Sequence, residues 1–464
     1  MEGINTYTHR YIARVVLEAE TPLFVSSGES SLLTDALVQK DIHGFPMISG
    51  TSLTGVLRHS LEDFSGDNDK WKEFFGYQVP RGKKGKGSQI KISSAYLILE
   101  DGKVAEGLNP GFDISKYKLY FENLPVRPHV RITHKGVADT KNKGLFDNEV
   151  MYKGVRFLFE VELKGNGEEE LWDEFLNELN SPLFRVGQGT RKGYGKLKVE
   201  SINSKVFDLS KDQDFNDYLN FNPSLNAANN LIKRDKFVND KNLIRYQLKL
   251  KPESFFSFSG GFGDQEVDSV PATEDIIKYE NGKLTIKKDL TLISASSIKG
   301  SLSHRTAFHY NKFKGYFVDN YSEPKFKEFI ETYNDAVYEL FGAELGHENG
   351  DGMRGKVILN DVLIEDAKND KIFNHVAIDR FTGGAMDGAL FSEKVSYFED
   401  KNKEIELDVW VESDVKESYL NAFEEALKDV CKGLLPLGGM TTKGHGIFTG
   451  KLLKNEKEVF KYEN

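Results

Sequence analysis

The chain has 464 residues, with 62 Lys and Arg against 72 Asp and Glu, so its formal net charge is −10. This length is enough for two or three domains of ordinary size. No stretch approaches the ~18 apolar residues of a membrane-spanning helix, and the first residues lack the basic start and apolar run of a secretory signal. Cys431 is the only cysteine, which excludes an internal disulfide and a multi-cysteine zinc site. We therefore expect a soluble, cytoplasmic protein without a membrane partner.

Three segments run against the acidic balance. Residues 79–91 and residues 185–198 each hold five cations and no acid, and residues 126–156 hold seven cations against three acids. Solvated loops would explain any one of these segments. Three of them in one acidic chain predict a positively charged surface for a phosphate-rich partner.

An internal duplication organises the chain. The Ser- and Gly-containing segment 49–59 recurs as 294–304, and the glycine-rich segment 187–195 recurs later as 438–446. Weaker similarities lie between these two pairs and follow the same order. The chain is therefore predicted to be a tandem duplication.

Each half has the same predicted order of elements. An alternating strand is followed by an amphipathic helix, further strands, a second amphipathic helix and a closing strand. This order is typical of an α+β, ferredoxin-like (RRM-type) sheet with helices on one face. We predict one such module at residues 1–205 and another at 243–464, joined by an Asn- and Asp-rich linker at 206–242.

Asp35 and Asp268 are the candidate catalytic residues. Each lies in a loop flanked by Gly and Ser, ahead of the first helix of its half. Beside a bound RNA strand, a carboxylate there could hold a divalent metal or help to deprotonate a ribose 2′-hydroxyl. An Asx turn or a helix-entry residue would explain the same pattern.

The two glycine-rich segments are candidate backbone-binding loops. Glycine lets a backbone approach a phosphate closely, and the cations between the glycines supply charge. The segments lack the GxxxxGK[ST] order of a P-loop, and an ordinary glycine-rich turn is the alternative. Their recurrence between a helix and a strand favours a binding loop.

Residues 125–150 and 371–395 are long excursions with apolar tips. A hairpin with basic flanks and an apolar end could wedge between bases, or it could pack on its own domain. His129 and His375 begin matching strands of these excursions and could contact phosphate.

Several segments resemble those of a known protein family. Residues 45–58 (FPMISGTSLTGVLR), after the loop that begins at Asp35, resemble the opening signature of the RAMP (repeat-associated mysterious protein) superfamily, the backbone subunits of type III CRISPR effector complexes. Residues 375–391 (HVAIDRFTGGAMDGALF) resemble the thumb hairpin of the target-cleaving subunits, and both glycine-rich segments resemble the family's glycine loop. The doubling resembles the fused two-copy backbone subunits of type III-D-like systems.

The resemblance implies two RAMP palms, each with a β-hairpin thumb, here at about 125–150 and 371–396. Such palms stack along a CRISPR guide RNA, and each thumb displaces one base pair of the guide–target duplex. The expected partners are guide RNA, target RNA and other effector subunits.

The resemblance also implies an activity. The chain would be a hydrolase of antiviral defence. It would act as an endoribonuclease that cuts target RNA at two regularly spaced sites. Asp35 and Asp268 would be the catalytic residues, and the expected divalent metal is Mg²⁺. The candidate RNA contacts are Ser52, Arg58, His129, Arg131, Arg185, Gly187, Gly189, Arg191, Lys192, Gly193, Gly195, Ser297, Lys299, His375, Arg380, Gly438, Gly439, Lys443, Gly444 and Gly446.

The chain departs from the family pattern in places. Thr54 stands where the family usually has the lysine that Lys299 keeps, and a long insertion follows the Asp268 loop. Two alternatives therefore stay open. One is a structural guide-binding subunit with one or both nuclease sites inactive. The other is a guide-precursor processing enzyme that uses His59 or His304 as acid or base.

Overall fold

The structure is a computed structural model. It describes residues 7–64, 68–78, 85–133, 136–139, 144–235, 242–317, 319, 333–343 and 352–462. No helix within these ranges is both long and apolar enough to cross a membrane.

The first half contains eight strands and five α-helices among its described residues. In chain order they are β1 (His9–Ala19), α1 (Gly50–Phe64), α2 (Asn68–Phe75), β2 (Ile90–Ile92), β3 (Tyr96–Leu97), a 3-10 turn (Glu100–Gly102), α3 (Ser115–Phe121), β4 (Val126–Val130), β5 (Leu145–Glu149), β6 (Arg156–Gly165), α4 (Glu169–Glu178), β7 (Leu197–Asp208), α5 (Asp212–Leu219) and β8 (Ile232–Lys233).

The second half repeats the main elements of this order and adds a hairpin before its first helix. Its described elements are β9 (Leu243–Pro252), β10 (Thr273–Glu280), β11 (Lys283–Ile293), α6 (Ala295–Phe313), α7 (Asp335–Phe341), β12 (Gly342–Ala343), β13 (Met353–Arg354), β14 (Val357–Leu359), β15 (Val362–Ile364), β16 (Lys368–Ile378), β17 (Ala385–Tyr397), β18 (Ile405–Glu412), α8 (Glu417–Cys431), a 3-10 turn (Thr441–Lys443), β19 (Phe448–Lys454) and β20 (Lys457–Lys461).

The two main sheets have the same strand order. The first runs β2-β6-β1-β7-β8, and the second runs β14-β18-β9-β19-β20. In both sheets the first strand of the module is central. β1 lies between β6 and β7, and β9 lies between β18 and β19. This antiparallel order is that of a ferredoxin-like palm, so the predicted α+β fold with two such modules is confirmed.

Period-two burial shows which side of the first sheet faces the core. In β1, Tyr11, Ala13, Val15 and Leu17 are fully buried at every second position. Leu53, Leu57 and Leu61 recur every fourth residue along α1, so they lie on one face of the helix and join the same core. The second module builds its own core from β9, β14, β18, α6 and α8.

Each module also carries a two-stranded hairpin outside its main sheet. β4 pairs with β5, which sets His129 opposite Phe146. β16 pairs with β17, which sets His375 opposite Phe391. We call these hairpins the first and second thumbs. They occupy the two excursions predicted from the sequence.

The segment predicted as a linker, 206–242, contributes folded elements. β7 continues to Asp208, α5 follows, and β8 pairs with β7 at Asn203 and Ser204. Its residues 236–241 lie outside the described residues. Part of the segment therefore extends the first sheet, which its Asn- and Asp-rich composition did not indicate.

The hairpin β10–β11 joins the two modules through apolar contacts. It accounts for the insertion after the Asp268 loop. Ile277 and Leu284 are buried in the core of the first module, and the Tyr279 hydroxyl donates a hydrogen bond to the Ile98 carbonyl at 2.6 Å. Burial of these side chains stabilises the joint by an amount that grows with the apolar area removed from water.

Buried charges complete the joint. Arg127, at the base of the first thumb, donates to Asp361 and Glu274 of the second module. All three side chains are at least nine-tenths buried. Asp361 also accepts the backbone N–H of Ala295, the first residue of α6, at 2.7 Å. One carboxylate thus fixes both the thumb base and the start of a helix.

Removing one partner of this buried network leaves carboxylates without a counter-charge. We expect Arg127→Ala to lower the free energy of unfolding by about 3–5 kcal/mol, measured by urea titration. The matched control is Arg234→Ala. Arg234 pairs with Asp173, whose side chain is 52% exposed, so its loss should cost less than ~1 kcal/mol. Equal losses from the two variants would contradict a structural role for the buried pair.

Candidate nucleic-acid interface

Asp35 is exposed and is hydrogen-bonded to the outgoing strand of the first thumb. Its Oδ2 accepts the backbone N–H of Asp147 at 3.0 Å. Its own N–H donates to Oδ1 of Asp147 at 2.8 Å. The candidate carboxylate is therefore held beside the thumb and a second carboxylate.

Asp268 makes the equivalent contact in the second module. Its Oδ2 accepts the Ser392 backbone N–H at 2.8 Å and the Ser392 hydroxyl at 2.9 Å. These hydrogen bonds to the charged form lower the pKa of Asp268. The aspartate is exposed, as Asp35 is.

The two aspartates occupy matching positions. Asp147 directly follows Phe146, which pairs with His129. Ser392 directly follows Phe391, which pairs with His375. Each aspartate accepts the N–H of the residue after that phenylalanine, so the structure establishes which positions of the two loops correspond.

The donor set at these positions suits a hard cation that is also bound by phosphate. Mg²⁺ is usually held by one or two carboxylates together with substrate phosphates. The first position offers Asp35 with Asp147, and the second offers Asp268 with the Ser392 hydroxyl. Among the described residues, no group of three or more Asp, Glu, His and Cys forms a metal cage. The residues fit a cation whose remaining ligands come from RNA and water.

The first residue of each glycine loop must be glycine because of its backbone conformation and its close contact with a neighbouring segment. Gly187 and Gly438 have φ of +92° and +95°. A Cβ at either position would lie 2.3 Å from a carbonyl oxygen, that of Phe24 in the first loop and that of Ser257 in the second. These two glycines are explained by the packing of the loop itself, whatever the loop binds.

The outer parts of the two loops differ in their surroundings. In the second loop Gly439, Thr442, Lys443 and Gly444 are exposed. In the first loop Lys192 is exposed, but Gly193 is pressed against the second module, where an added Cβ would lie 2.3 Å from Oδ1 of Asp361. The first loop is thus part of the joint, and the second is open at the surface.

Three of the candidate contacts lie at the joint. Arg185 is 5% exposed and donates to Asn360 Oδ1 at 2.7 Å. Arg191 donates to Glu412 Oε1 at 2.7 Å, and Lys299 is 8% exposed. Two cations of the basic segment 185–198 therefore contact partners in the second module. The sequence predicted an open basic surface for this segment.

These buried cations still have donors to spare. Among the described residues, Nε of Arg185 and Nη1 of Arg191 have no hydrogen-bond partner. Both side chains line a cavity of about 250 Å³, together with Arg354 of the second module and His59 on α1. Burial and the nearby charge of Arg191 lower the pKa of Arg185. Guanidinium groups from both modules thus converge on one cavity, and a guanidinium is a group that can bind phosphate through two hydrogen bonds.

Lys299 lies close to the same cations. Burial, followed by the charges of Lys192 and Arg191, lowers the pKa of Lys299 to about 7. Since these three residues come from the first glycine loop and from α6, the positive potential at the joint is a product of both modules.

The two thumb histidines have different environments. His129 Nε2 is hydrogen-bonded to the Tyr194 hydroxyl at 2.9 Å. Burial, then Arg127 and Lys192, lower the pKa of His129 to about 4, so its ring is neutral at pH 7. His375 Nε2 is 2.9 Å from Oε1 of the buried Glu393. Any contact of His129 with phosphate would therefore be that of a neutral imidazole.

The remaining candidates lie at helix starts and thumb ends. Ser52 and Ser297 are half-buried near the starts of α1 and α6, Arg58 is half-buried on α1, and Arg131 and Arg380 are exposed on the thumbs. Arg131 is 3.8 Å from Asp139. Of the basic segment 79–91, residues 79–84 lie outside the described residues.

Residues that the sequence did not single out complete the interface. Arg354 lines the cavity, Asn360 and Glu412 hold the loop arginines, and Asp147 contacts Asp35. No local pattern marks these residues, and Asn360, Glu412 and Asp147 each contact a partner more than a hundred positions away.

Comparison with protein families gives a single description for both halves. A family model described as the RAMP superfamily matches residues 16–198 and 278–449. The two matched regions fall in the two palms that share a strand order. A search of curated proteins found no match.

Proposed function

Because this chain belongs to the RAMP superfamily of CRISPR-associated RNA-binding proteins, we propose that it is a fused two-module backbone subunit of a type III CRISPR effector. It binds guide RNA along both palms and cleaves complementary target RNA at two sites. The observation that supports cleavage best is the matched pair of aspartates, each hydrogen-bonded to the outgoing strand of its own thumb.

Guide binding rests on backbone contacts. Exposed Lys192 and Lys443 lie on the two glycine loops, and the cavity at the joint adds Arg185, Arg191 and Arg354. Such groups bind phosphates without reading bases. In this proposal the choice of target is left to base pairing with the guide, as in other RNA-guided proteins.

Target distortion rests on the thumb ends. Leu145 is 73% exposed on the first thumb, and Phe381 and Leu390 are 99% and 72% exposed on the second. Apolar side chains of this kind can insert between bases and unstack them. We propose that each thumb displaces one nucleotide of the target beside its aspartate.

The proposed reaction is attack by the 2′-oxygen of the displaced nucleotide on its own 3′-phosphate. The new bond joins the 2′-oxygen to phosphorus, and the bond from phosphorus to the 5′-oxygen of the next nucleotide breaks. That oxygen takes up a proton from water, so the products are a 2′,3′-cyclic phosphate and a 5′-hydroxyl. Asp35 and Asp268 orient the nucleotide and assist deprotonation of the 2′-hydroxyl. A divalent cation, proposed to be Mg²⁺, would supply positive charge at the phosphate when bound there.

Guide-precursor processing is the second candidate. His59 lines the cavity that three arginines share, so an imidazole lies close to a potential phosphate site. Cleavage of free repeat RNA in EDTA, lost in His59→Ala, would favour this function over target cleavage.

The first prediction of this proposal concerns the aspartates. In the complete effector with guide RNA, we expect Asp35→Ala and Asp268→Ala each to abolish one cleavage product while guide binding stays within about twofold. Denaturing gels of end-labelled target RNA give the fragments.

Asp35→Asn and Asp268→Asn are the matched controls. Each keeps an oxygen that can accept the thumb N–H and loses the charge. They should be as inactive as the alanine variants, since the reaction needs the carboxylate. Full activity of the asparagine variants would assign the aspartates to anchoring alone, and the same fragment ladder from all variants would refute the cleavage sites.

The second prediction concerns the exposed loop lysines. Lys192→Ala and Lys443→Ala should each weaken binding of every RNA sequence alike. Each should also reduce the slope of log K against log salt by about 0.7, the value for one phosphate contact with a single strand. Fluorescence anisotropy at several salt concentrations measures this slope.

Lys401→Ala is the control for the loop lysines. Lys401 is exposed in the turn before β18 and belongs to neither glycine loop. It should leave the slope unchanged. A changed sequence preference in the loop variants, or an equal change in Lys401→Ala, would count against backbone binding by the loops.

The third prediction follows from the lowered pKa of Lys299, about 7. A phosphate bound near Lys192 and Arg191 favours the charged form of Lys299, so binding takes up a proton above pH 7. Affinity for RNA should therefore fall as pH rises from 7 to 9 at constant ionic strength. Lys299→Arg stays charged throughout this range and should remove that part of the pH dependence. Identical pH profiles for the two proteins would contradict the prediction.

A further inference from the structure

The joint between the modules has two complementary faces. The loop face belongs to the first module and carries Arg127 and Arg191. The docking face belongs to the second module and carries Asp361 and Glu412. Because the chain is a duplication, each module should have both faces. The second module therefore has a loop face, and the first a docking face, that the joint does not use.

Strand register identifies what replaces Asp361 on the unused docking face. Leu359 pairs with Val409 and Ile92 pairs with Val161 at the same place in the two sheets. Two residues further on, Asp361 therefore corresponds to Ser94.

A hydrogen bond confirms this correspondence. Asp361 accepts the N–H of Ala295, the first residue of α6, at 2.7 Å. The Ser94 hydroxyl accepts the N–H of Gly50, the first residue of α1, at 3.3 Å. The unused face has a hydroxyl where the joint has a carboxylate.

The same register identifies what replaces Glu412. Val411 pairs with Val357, and Leu163 pairs with Ile90. The next residue is Glu412 in the second module and Lys164 in the first, and Lys164 is exposed. The charge at this position is reversed on the unused face.

The unused loop face lacks both arginines. Arg127 lies two residues before His129, and Phe373 lies two before His375. The Arg127 guanidinium lies 5.0 Å from the Tyr194 ring centre, and the Phe373 ring lies 5.6 Å from that of His445, which has the same place in the second glycine loop as Tyr194 has in the first. Phe373 therefore takes the place of Arg127.

Thr442 takes the place of Arg191. The two glycine loops are aligned by Gly187 and Gly438, which share their backbone geometry. Counting from these residues, Arg191 corresponds to Thr442 and Lys192 to Lys443. Thr442 and Lys443 are both exposed.

The first module also lacks the apolar clasp. In the second module, the hairpin β10–β11 extends between Ala272 and Leu292, and the Leu292 N–H donates to the Ala272 carbonyl at its base. In the first, the matching bond from Met47 to Gln39 closes a short turn, within which Asp41 donates to the Phe45 carbonyl at 2.8 Å. No hairpin extends from this turn to cover a preceding module.

We infer that this chain does not stack on copies of itself and that its two open faces bind other proteins. A copy added end to end would have neither ion pair and no hairpin, and would bring Thr442 opposite Lys164. The cations at both open faces fit partner subunits that present carboxylates. Within the proposed function, an effector would thus hold one copy of the chain at this place along the guide.

Sedimentation velocity of the full chain without RNA tests this inference, so its outcome is independent of RNA binding. The wild-type chain should remain a 52.5 kDa monomer over concentrations up to ~100 μM. Concentration-dependent oligomers of the wild-type chain would overturn the inference.

Two double variants restore the missing charges on separate chains. One carries Phe373→Arg and Thr442→Arg on the open loop face, and the other carries Ser94→Asp and Lys164→Glu on the open docking face. All four positions are exposed or half-buried, so both chains should fold, which circular dichroism checks.

Mixing the two variants should give a one-to-one dimer with a dissociation constant at least ~10-fold below that of any wild-type self-association. Each variant alone should stay monomeric. A mixture that remains monomeric would show that these charges do not decide which modules join, and would overturn the inference.

Discussion

The buried contact of Arg127 with Asp361 and Glu274 is the constraint on which the arrangement of the two modules depends. Charges removed from water are tolerated only when they are paired, so this contact admits one placement of the first thumb on the second palm. Asp361 also receives the N–H that begins α6. The position of the thumb base is therefore coupled to the position of a helix in the other module.

This constraint places the candidate functional groups relative to one another. The first glycine loop is held against the second module by Arg185, Arg191 and Gly193. The cavity shared by both modules follows from that contact, as do the burial and the nearby positive charges that lower the pKa of Lys299 to about 7. A rigid joint of this kind suits a protein that must keep two sites at a fixed spacing along one strand.

Much of the fold could be predicted from local pattern. Alternation in β1 and the leucines of α1 predicted a covered sheet, and the recurrence of two glycine-rich segments predicted the duplication. The matching of Asp35 with Asp268 also followed from the sequence, and the hydrogen bonds to Asp147 and Ser392 bear out that correspondence.

The surroundings of the cations could not be predicted in this way. Arg185 and Arg191 lie in a run of basic residues that is typical of an open surface. Their partners Asn360 and Glu412 are 175 and 221 positions away. A local pattern shows how many charges a segment has, but whether a guanidinium faces water or a carboxylate depends on tertiary contacts. The same holds for β8, whose two residues are held by their pairing with β7.

The most direct test of the account is a structure of the assembled effector with guide and target RNA bound. The account predicts a single RNA path along both palms, with the guide–target duplex interrupted once at each thumb and a target phosphate next to Asp35 and next to Asp268. An uninterrupted duplex, or RNA bound on a face that contains neither glycine loop, would contradict it.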